Sequence, residues 1–396
     1  MALELNKLTY QVDDLCETLL NRSEELAASV PVAREELRII AQHPTDLDKK
    51  IQKALNFRWA GAIPTDEQLD AIFPAPALPE RADIIAADGS QVYPDRHGLA
   101  LYYLINIGSI VFKHGLGKAP ECFSQPAVYH ETKDLYDGEN LVAAALINAR
   151  RDITELAELA VRATQLEKDD SAPTLTLLDN GLLLYFSLQA TDRAQLDEIL
   201  RLYLAELDNL RRSGAVIAGI VDRPQAASVV RLLRLATMEL DEINEDTLRV
   251  TSPFERIIDR RLFEELPPEH RTAVFANASP QNTDFYKPRG HKIHFFYLNA
   301  GGNSGTILRV EIPEWVANDP EKLDLVHAGI VEQSRVTGGF PYVLMRAHEL
   351  AIVSNAERND LDQMVMQAMI QRGMSPEQSL KAQGKAWTGG SKRRYR

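Results

Sequence analysis

The sequence has little cysteine. Its two cysteines, Cys16 and Cys122, lie far apart, and neither is accompanied by a Cys-x-x-Cys motif or a pair of histidines. This arrangement indicates neither a disulfide framework nor a zinc site. We therefore expect both cysteines to be ordinary apolar residues that fill space.

The sequence also lacks a membrane-spanning run and a secretory signal. Its longest apolar run, residues 98–112, is interrupted by Asn106 and is rich in Tyr and Ile, which favours a buried strand over a membrane span. The N-terminal residues contain no basic region before an apolar segment. We therefore expect a cytoplasmic location.

Positive charge and nucleotide-binding motifs are scarce as well. No Gly-x-Gly-x-x-Gly follows a predicted strand, and no Gly-x-x-x-x-Gly-Lys-Ser/Thr is present. The net charge of −13 argues against a protein that coats nucleic acid by bulk electrostatics. It does not exclude a nuclease, because metal ions supply positive charge where a phosphate binds. Local basic groups would then have to guide the strand, and the candidates are Arg223, Arg231, Arg234, Arg260, Arg261 and the terminal Lys392, Arg393, Arg394 and Arg396.

What the sequence does contain is apolar periodicity of both kinds. Residues 1–57 have leucines and alanines at helical spacing, and four prolines in residues 63–79 indicate a connector. The order of elements predicts an α/β fold, a mixed sheet flanked by helices, after a helical N-terminal region. Strands are predicted near 83–88, 99–112, 174–179, 215–221, 292–298 and 306–312, and helices near 139–167, 192–213, 226–238 and 342–373.

Two of the predicted strands end on an aspartate that turn residues follow. Asp88 begins Asp-Gly-Ser, and Asp179 begins Asp-Asn-Gly. Asp-Gly is a common turn, so either aspartate alone is more often a turn residue than a ligand. Buried strand tips are, however, where α/β proteins build their sites. If the two strands are neighbours, the carboxylates converge and can hold Mg²⁺ or Mn²⁺.

The helix between these strands and the last predicted helix offer further ligands. Glu155 would reach the aspartates from the sheet-facing side of its helix. The alternative is a solvated glutamate, because Arg151 and Glu155 form an ordinary i,i+4 surface pair. His348 lies within an apolar pattern, which is typical of a hydrogen-bonded core histidine. It becomes a metal ligand or proton carrier only if its helix crosses the carboxylates.

Taken in order, these residues resemble the NurA nucleases, the partners of HerA-type hexameric DNA translocases in DNA-end processing. The resemblance covers about residues 82–373. It rests on five segments: Asp-Gly-Ser at 88–90, Arg-x-x-x-Glu at 151–155, Leu-Leu-Asp-x-Gly at 177–181, Arg-Val-Glu-Ile-Pro at 309–313 after Phe-Tyr-Leu-Asn at 296–299, and the helix from Pro341-Tyr342 to Ala347-His348.

The resemblance implies an RNase H-like core, usually in a homodimer, with Mn²⁺ or Mg²⁺ as cofactor. Asp88, Glu155, Asp179 and His348 match the family's metal-binding and catalytic positions. Tyr185 is the nearest match to a tyrosine that the family has after its second aspartate. The domains would be a helical region and connector at 1–79, a nuclease domain at 80–373 and a flexible basic tail at 374–396.

The function implied is a divalent-metal-dependent DNA nuclease, both a single-strand endonuclease and a 5′–3′ exonuclease, that works with a HerA-like translocase. Two alternatives stay open: a catalytically inactive dimeric adaptor of the translocase, and a nuclease that acts on RNA. We also expect Gly89 and Gly181 to let the backbone approach the scissile phosphate without a Cβ clash.

Overall fold

The structure is a computed structural model that describes residues 4–44, 46–166, 172–184, 193–249, 254, 256–301 and 305–374. The chain divides into two compact units. The first unit comprises Met1–Leu78, Asn180–Leu183 and Ile217–Pro341, and the second comprises Pro79–Asp179, Leu184–Val216 and Tyr342–Arg396. The predicted domain boundaries at residues 79 and 373 stay a prediction, and the predicted basic tail lies almost wholly outside the described residues.

The strands and helices are numbered in chain order. The strands are β1 (Ala62–Pro64), β2 (Ile72–Pro74), β3 (Ala82–Val92), β4 (Tyr103–His114), β5 (Glu121–Tyr129), β6 (Tyr136–Asp137), β7 (Asn140–Leu141), β8 (Thr174–Leu178), β9 (Val216–Val221), β10 (His270–Thr272), β11 (Phe275–Asn277), β12 (Ile293–Asn299) and β13 (Ile307–Pro313). The α-helices are α1 (Thr9–Gln42), α2 (Leu47–Leu55), α3 (Thr132–Leu135), α4 (Ala144–Leu166), α5 (Arg193–Ser213), α6 (Ser228–Thr237), α7 (Glu245–Arg249), α8 (Asp259–Leu262), α9 (Glu314–Ala317), α10 (Pro320–Thr337), α11 (Tyr342–Ala351) and α12 (Asn355–Gln371). Short 3₁₀ or π turns cover Leu5–Leu8, Asn282–Tyr286 and Lys287–Arg289.

The second unit contains a mixed sheet in the order β8-β3-β4-β5. Strand β3 pairs with β8 in parallel and with β4 antiparallel, and β4 pairs with β5 antiparallel. The first six residues of β3 are buried, as expected for a central strand with helices on the sheet. The strands predicted near residues 83–88 and 99–112 are present as β3 and β4, and they form an antiparallel hairpin. This strand arrangement agrees with the RNase H-like core that the resemblance implies.

Strand β5 and the helix break near residue 352 were not predicted. Strand β5 is mostly exposed and contains Pro126, so it lacks the apolar alternation that predicts a strand. The predicted single helix at 342–373 is two helices, α11 and α12. Ser354 starts the second one with a capping box, in which its side chain accepts from the Glu357 N–H and the Glu357 carboxylate accepts from the Ser354 N–H.

The first unit contains an antiparallel sheet in the order β1-β11-β12-β13-β9, and β10 pairs with β12 and with β2. Every residue of β12 and β13 is buried. The strands predicted near residues 292–298 and 306–312 are present as β12 and β13, which pair antiparallel; residues 302–304 between them lie outside the described part. The helical N-terminal region is also confirmed. Helix α1 buries residues only from Val30 onward.

Two smaller predictions have clear outcomes. Cys16 and Cys122 are both free and exposed, so the prediction that they fill space inside the protein is wrong. Within the described ranges, no helix has the length and apolar character needed to cross a bilayer.

Candidate active site

Asp88 and Asp179 lie at neighbouring strand tips of the second unit. The parallel strands β3 and β8 pair Ala87 with Leu178, and each aspartate is the next residue along its strand. Since adjacent strands are about 4.8 Å apart, the two aspartate backbones lie side by side. The Asp88 side chain is 15 % exposed, and Asp179 is exposed. The predicted convergence of the two strand ends is therefore present.

His348 contacts the first of these aspartates. Its Nδ1 lies 2.6 Å from Asp88 Oδ2, and the Gly89 N–H donates to Asp88 Oδ1 at 2.8 Å. The His348 side chain is 59 % exposed. The interpretation of His348 as a core histidine is therefore wrong, because helix α11 places the imidazole on a carboxylate at the protein surface.

A close approach of α11 to the sheet makes this contact possible. Gly108 pairs with Asp88 across β3 and β4, and a Cβ on Gly108 would lie 2.4 Å from the carbonyl oxygen of Ala347. The end of the helix is held by polar side chains of the same strands. The Asn106 amide donates to the carbonyls of Leu350 and Ala351, and the Ser90 hydroxyl donates to that of Ala351 at 2.5 Å.

Glu155 is the third carboxylate, and it is only 4 % exposed. Its Oε1 lies 3.1 Å from Arg151 Nε. Burial raises the pKa of Glu155 well above its usual value; the charges of Asp152, Asp88 and Asp179 raise it further, whereas Arg151 lowers it. The alternative of a solvated surface pair is therefore wrong. Glu155 is a buried carboxylate that senses the charge of both strand-end aspartates.

Arg151 links the helix to strand β3. Its guanidinium donates to Asp152 Oδ1 at 2.7 Å and to the Gln91 side-chain oxygen at 3.1 Å, in addition to its ion pair with Glu155. One arginine thus partly neutralises two carboxylates of α4 and ties them to the strand that bears Asp88.

Glu158, one helical turn beyond Glu155, has a different role. Its carboxylate accepts hydrogen bonds from the Ser109 hydroxyl at 2.6 Å, the Gln125 amide at 2.9 Å and Arg162 Nε at 2.6 Å. These partners occupy both carboxylate oxygens and join α4 to β4 and β5. Glu158 therefore fixes the helix that positions Glu155.

Glu155 and His348 approach strand β3 from opposite faces. Successive strand residues point to opposite faces, so Asp88 and Gly89 face different helices. A Cβ on Gly89 would lie 2.6 Å from Glu155 Oε1, which places Glu155 on the α4 side, whereas Asp88 faces α11. Among the residues described, no three His, Cys, Asp or Glu side chains are grouped closely enough to hold one ion. The carboxylates are instead paired with Arg151 and His348.

The glycines that follow the two aspartates make room for the protein's own carboxylates. Besides the contact at Gly89, a Cβ on Gly181 would lie 2.7 Å from Glu311 Oε2. We expected these glycines to make room for a phosphate. In the structure, the absence of a Cβ makes room for the carboxylates of Glu155 and Glu311. Tyr185 lies outside the described residues, so its assignment stays a prediction.

A buried polar network in the first unit was not predicted. Glu311 accepts from the N–H groups of Leu182 and Leu183, three and four residues after Asp179, and its other oxygen lies 2.9 Å from Arg309 Nε. Arg309 also donates to the Tyr297 hydroxyl, which itself donates to Asp259 at 2.7 Å. One signal was present in the sequence: Arg309 and Glu311 are two residues apart in an otherwise apolar strand and therefore share one face.

Comparison with known proteins gives a family and a fold. A family model described as "NurA domain" matches residues 82–353. No curated protein matches the chain. Among solved structures, the NurA nuclease from Sulfolobus solfataricus is similar over 94 % of this chain and 98 % of its own, with 13 % identity and a TM-score of 0.50. A further NurA structure gives 13 % identity and a TM-score of 0.45, with 91 % and 98 % of the two chains covered. A NurA structure bound to dAMP and manganese gives 12 % identity and a TM-score of 0.37, with 92 % and 97 % covered.

Proposed function

Because the chain belongs to the NurA family of nucleases, we propose that it is a divalent-metal-dependent DNA nuclease with its active centre at the β3 and β8 tips. The observation that carries this proposal is the meeting of Asp88 and His348 beside Asp179, with Glu155 buried next to them.

The donor chemistry fits Mg²⁺ or Mn²⁺. Carboxylate oxygens are the ligands that these hard cations prefer, and an imidazole in the set favours Mn²⁺. Asp88 and Asp179 would hold the ion, with His348 as a further ligand or as a proton carrier. The family resemblance assigns Glu155 to the metal as well, although in this structure its carboxylate pairs with Arg151 on the other face of β3. When bound, such an ion stabilises charge on the phosphate and lowers the pKa of its water. Burial raises the pKa of Glu155, and the charges of Asp152, Asp88 and Asp179 raise it further, which is an environment that a cation relieves.

The protein's own side chains would transfer the proton and hold the carboxylates of the active centre in position. With Nδ1 turned toward Asp88, an imidazole that donates to this carboxylate leaves Nε2 available to take up or release a proton. The Gly89 N–H holds the other oxygen of Asp88 in place. Arg151 holds Glu155, and Glu158 fixes the helix on which both residues lie.

The finer features of the proposal follow the family resemblance. The protein would act on DNA as a single-strand endonuclease and as a 5′–3′ exonuclease, as a homodimer in the cytoplasm, in DNA-end processing. A HerA-like hexameric translocase would move the DNA, since this chain has no nucleotide-binding motif and carries a net charge of −13. Tyr185 would complete the active centre.

The test uses labelled single-stranded and duplex DNA with Mn²⁺ or Mg²⁺, and compares the wild-type protein with Asp88→Ala. We expect the wild type to degrade DNA and the variant to be inactive. Glu198→Ala is the matched control, because it removes an exposed carboxylate of α5 that pairs only with Arg201 among the contacts described. Undiminished degradation by Asp88→Ala would overturn the assignment.

Two further measurements separate the alternatives. An intact metal site should raise the melting temperature when Mn²⁺ is added, by linkage, and Asp88→Ala should reduce this rise. Absence of both cleavage and Mn²⁺ stabilisation in the wild type would favour the inactive adaptor. Competition between RNA and DNA oligomers of one sequence identifies the substrate, and preferential cleavage of RNA would overturn the choice of DNA.

A further inference from the structure

A basic cavity lies in the first unit, in a chain whose net charge is strongly negative. Its volume is about 540 Å³, and Arg223, Arg260 and Arg261 line it together with Glu264 and Thr306. Three guanidinium groups around one cavity form a concentrated positive charge. Such a cavity is suited to an anion with several oxygen acceptors.

The positive charge of this cavity is not cancelled by the protein. Within the described residues, no carboxylate forms a salt bridge with Arg223 or Arg260. Arg261 lies 3.2 Å from Glu264, but the same carboxylate is also 3.2 Å from Arg34. The single negative charge of the lining is therefore shared between two arginines, and the cavity retains a positive excess.

Other arginines suggested by the sequence are used by the fold. Arg231 donates to the Ala60 carbonyl at 2.9 Å, and Arg234 donates to the Leu248 carbonyl at 3.2 Å. Arg223, Arg260 and Arg261 share one cavity, whereas Arg231 lines a different one together with Arg58, Arg249 and Glu245.

The backbone holds the three arginines in place. Arg223 follows the carboxyl end of β9, the kind of position where α/β proteins bind ligands, and has a φ of +46°. A side chain in the left-handed region costs about 1 kcal/mol, and such strain is concentrated at functional positions. The Asp259 N–H donates to the Ala226 carbonyl at 2.9 Å, and the Asp259 carboxylate accepts from the N–H groups of Val229 and Val230. These bonds join the segment with Arg260 to the segment after Arg223.

We propose that this cavity binds the backbone phosphates of the DNA strand. Arginine forks match phosphate oxygens in a bidentate manner, and their preorganised positions reduce the entropy lost on binding. The choice of DNA as the polyanion rests on the proposed function. The cavity itself contributes affinity without reading sequence, because phosphate contacts carry no base information.

The experiment measures binding without cleavage. Fluorescence anisotropy of a labelled single-stranded oligonucleotide is recorded in EDTA over a range of NaCl concentrations, for the full-length wild type and for Arg223→Ala/Arg260→Ala. We expect the variant to bind at least about 10-fold more weakly at about 0.15 M salt. Its slope of log K against log salt should fall by about 1.4, or about 0.7 for each lost phosphate contact.

Two variants serve as controls. Arg256→Ala/Arg201→Ala removes the same charge from exposed arginines that do not line the cavity, and should keep the wild-type slope. Arg223→Lys/Arg260→Lys keeps the charge but not the fork, and should fall between the wild type and the alanine variant. Matching circular dichroism melts establish that each variant is folded.

The outcomes distinguish this proposal from the proposed function. If the wild type binds no DNA, the DNA-nuclease proposal fails. If the wild type binds DNA and the alanine variant keeps its affinity and slope, only the cavity proposal is overturned. If inorganic phosphate raises the melting temperature of the wild type but not of the variant, and the DNA slopes are equal, the cavity is a site for free phosphate and the DNA assignment is also overturned.

Discussion

Glu155 in the second unit and Asp259 in the first are both buried carboxylates, yet their hydrogen-bond and charge partners differ. Asp259 accepts hydrogen bonds from two backbone N–H groups and from the Tyr297 hydroxyl. Glu155 has one arginine and lies near the charges of other carboxylates. Burial raises the pKa of both groups. Burial alone therefore does not distinguish the two carboxylates; what distinguishes Glu155 is that its negative charge is only partly compensated, as we expect for the metal ligand that we propose.

Two arginines of the first unit show a similar contrast. Arg309 is buried between Glu311 and Tyr297, so its charge is used inside the fold. Arg223 is exposed on a strained backbone beside a cavity. Groups satisfied by the protein maintain the structure, and groups left open are available to bind a ligand.

The largest expected effect is on activity. Glu155→Gln should reduce Mn²⁺-dependent DNA cleavage by at least about 100-fold, because it removes a charged ligand. Its free energy of unfolding in EDTA should be unchanged or higher, because a buried charge among like charges is removed. Cleavage assays and urea denaturation measure the two effects. A large loss of stability with little loss of activity would make Glu155 a structural residue like Asp259.

The converse change should affect stability first. Asp259→Asn loses an acceptor for one of three buried donors, and we expect a decrease of about 3 kcal/mol in the free energy of unfolding. At saturating DNA, the remaining folded protein should cleave at a rate near that of the wild type, because Asp259 does not contact the described residues of the proposed active centre. Urea denaturation and assays corrected for the folded fraction provide the test. Loss of cleavage in fully folded protein would contradict the distinction between the two carboxylates.

The first unit should also lose stability in mild acid. Burial lowers the pKa of both His294 and His327 to about 4, with neighbouring positive charge acting in the same direction. The unfolded chain then binds more protons below about pH 6.5, so this stability is present above about pH 6.5 and is lost as the pH falls toward about 4. Between about pH 7 and about pH 5 the loss is about 2 kcal/mol for each histidine.

Denaturation at several pH values tests this expectation. His327→Gln can still donate a hydrogen bond to the Glu269 carbonyl, which His327 Nε2 contacts at 2.9 Å, but it cannot be protonated. The variant should therefore lose about half of the pH dependence that the two histidines produce. A slope equal to that of the wild type would show that His327 does not titrate as its burial predicts.

The smallest effect concerns Arg223. Arg223→Gly relieves the left-handed backbone conformation, so the free energy of unfolding should rise or stay within about 1 kcal/mol of the wild type, while DNA affinity falls. Arg260→Ala should reduce affinity without any gain in stability. Denaturation together with anisotropy separates the two variants, and a glycine variant with full DNA affinity would leave the strain at residue 223 without a binding role.

Much of the fold could be predicted from the sequence, because buried strands and amphipathic helices repeat their apolar residues with local periods. Strand β5 and helix α10 do not repeat their apolar residues in this way, and neither was predicted. Strand β5 is an exposed edge, and α10 is buried on most of its surface, so neither shows a two-sided pattern. The Asp259 segment likewise shows no signal, since the partners of its carboxylate are 29 to 38 residues away in sequence.

The sequence by itself determined the strand ends that bear Asp88 and Asp179, because an apolar run followed by turn residues is a local property of the chain. The tertiary structure decided which side chains contact these two aspartates. Gly108, Asn106 and Ser90 bring helix α11 against the sheet, and this contact between distant segments places His348 on Asp88. It also decided that Glu155 is buried while Asp179 stays exposed, since burial depends on how helices pack and not on the residues next in sequence.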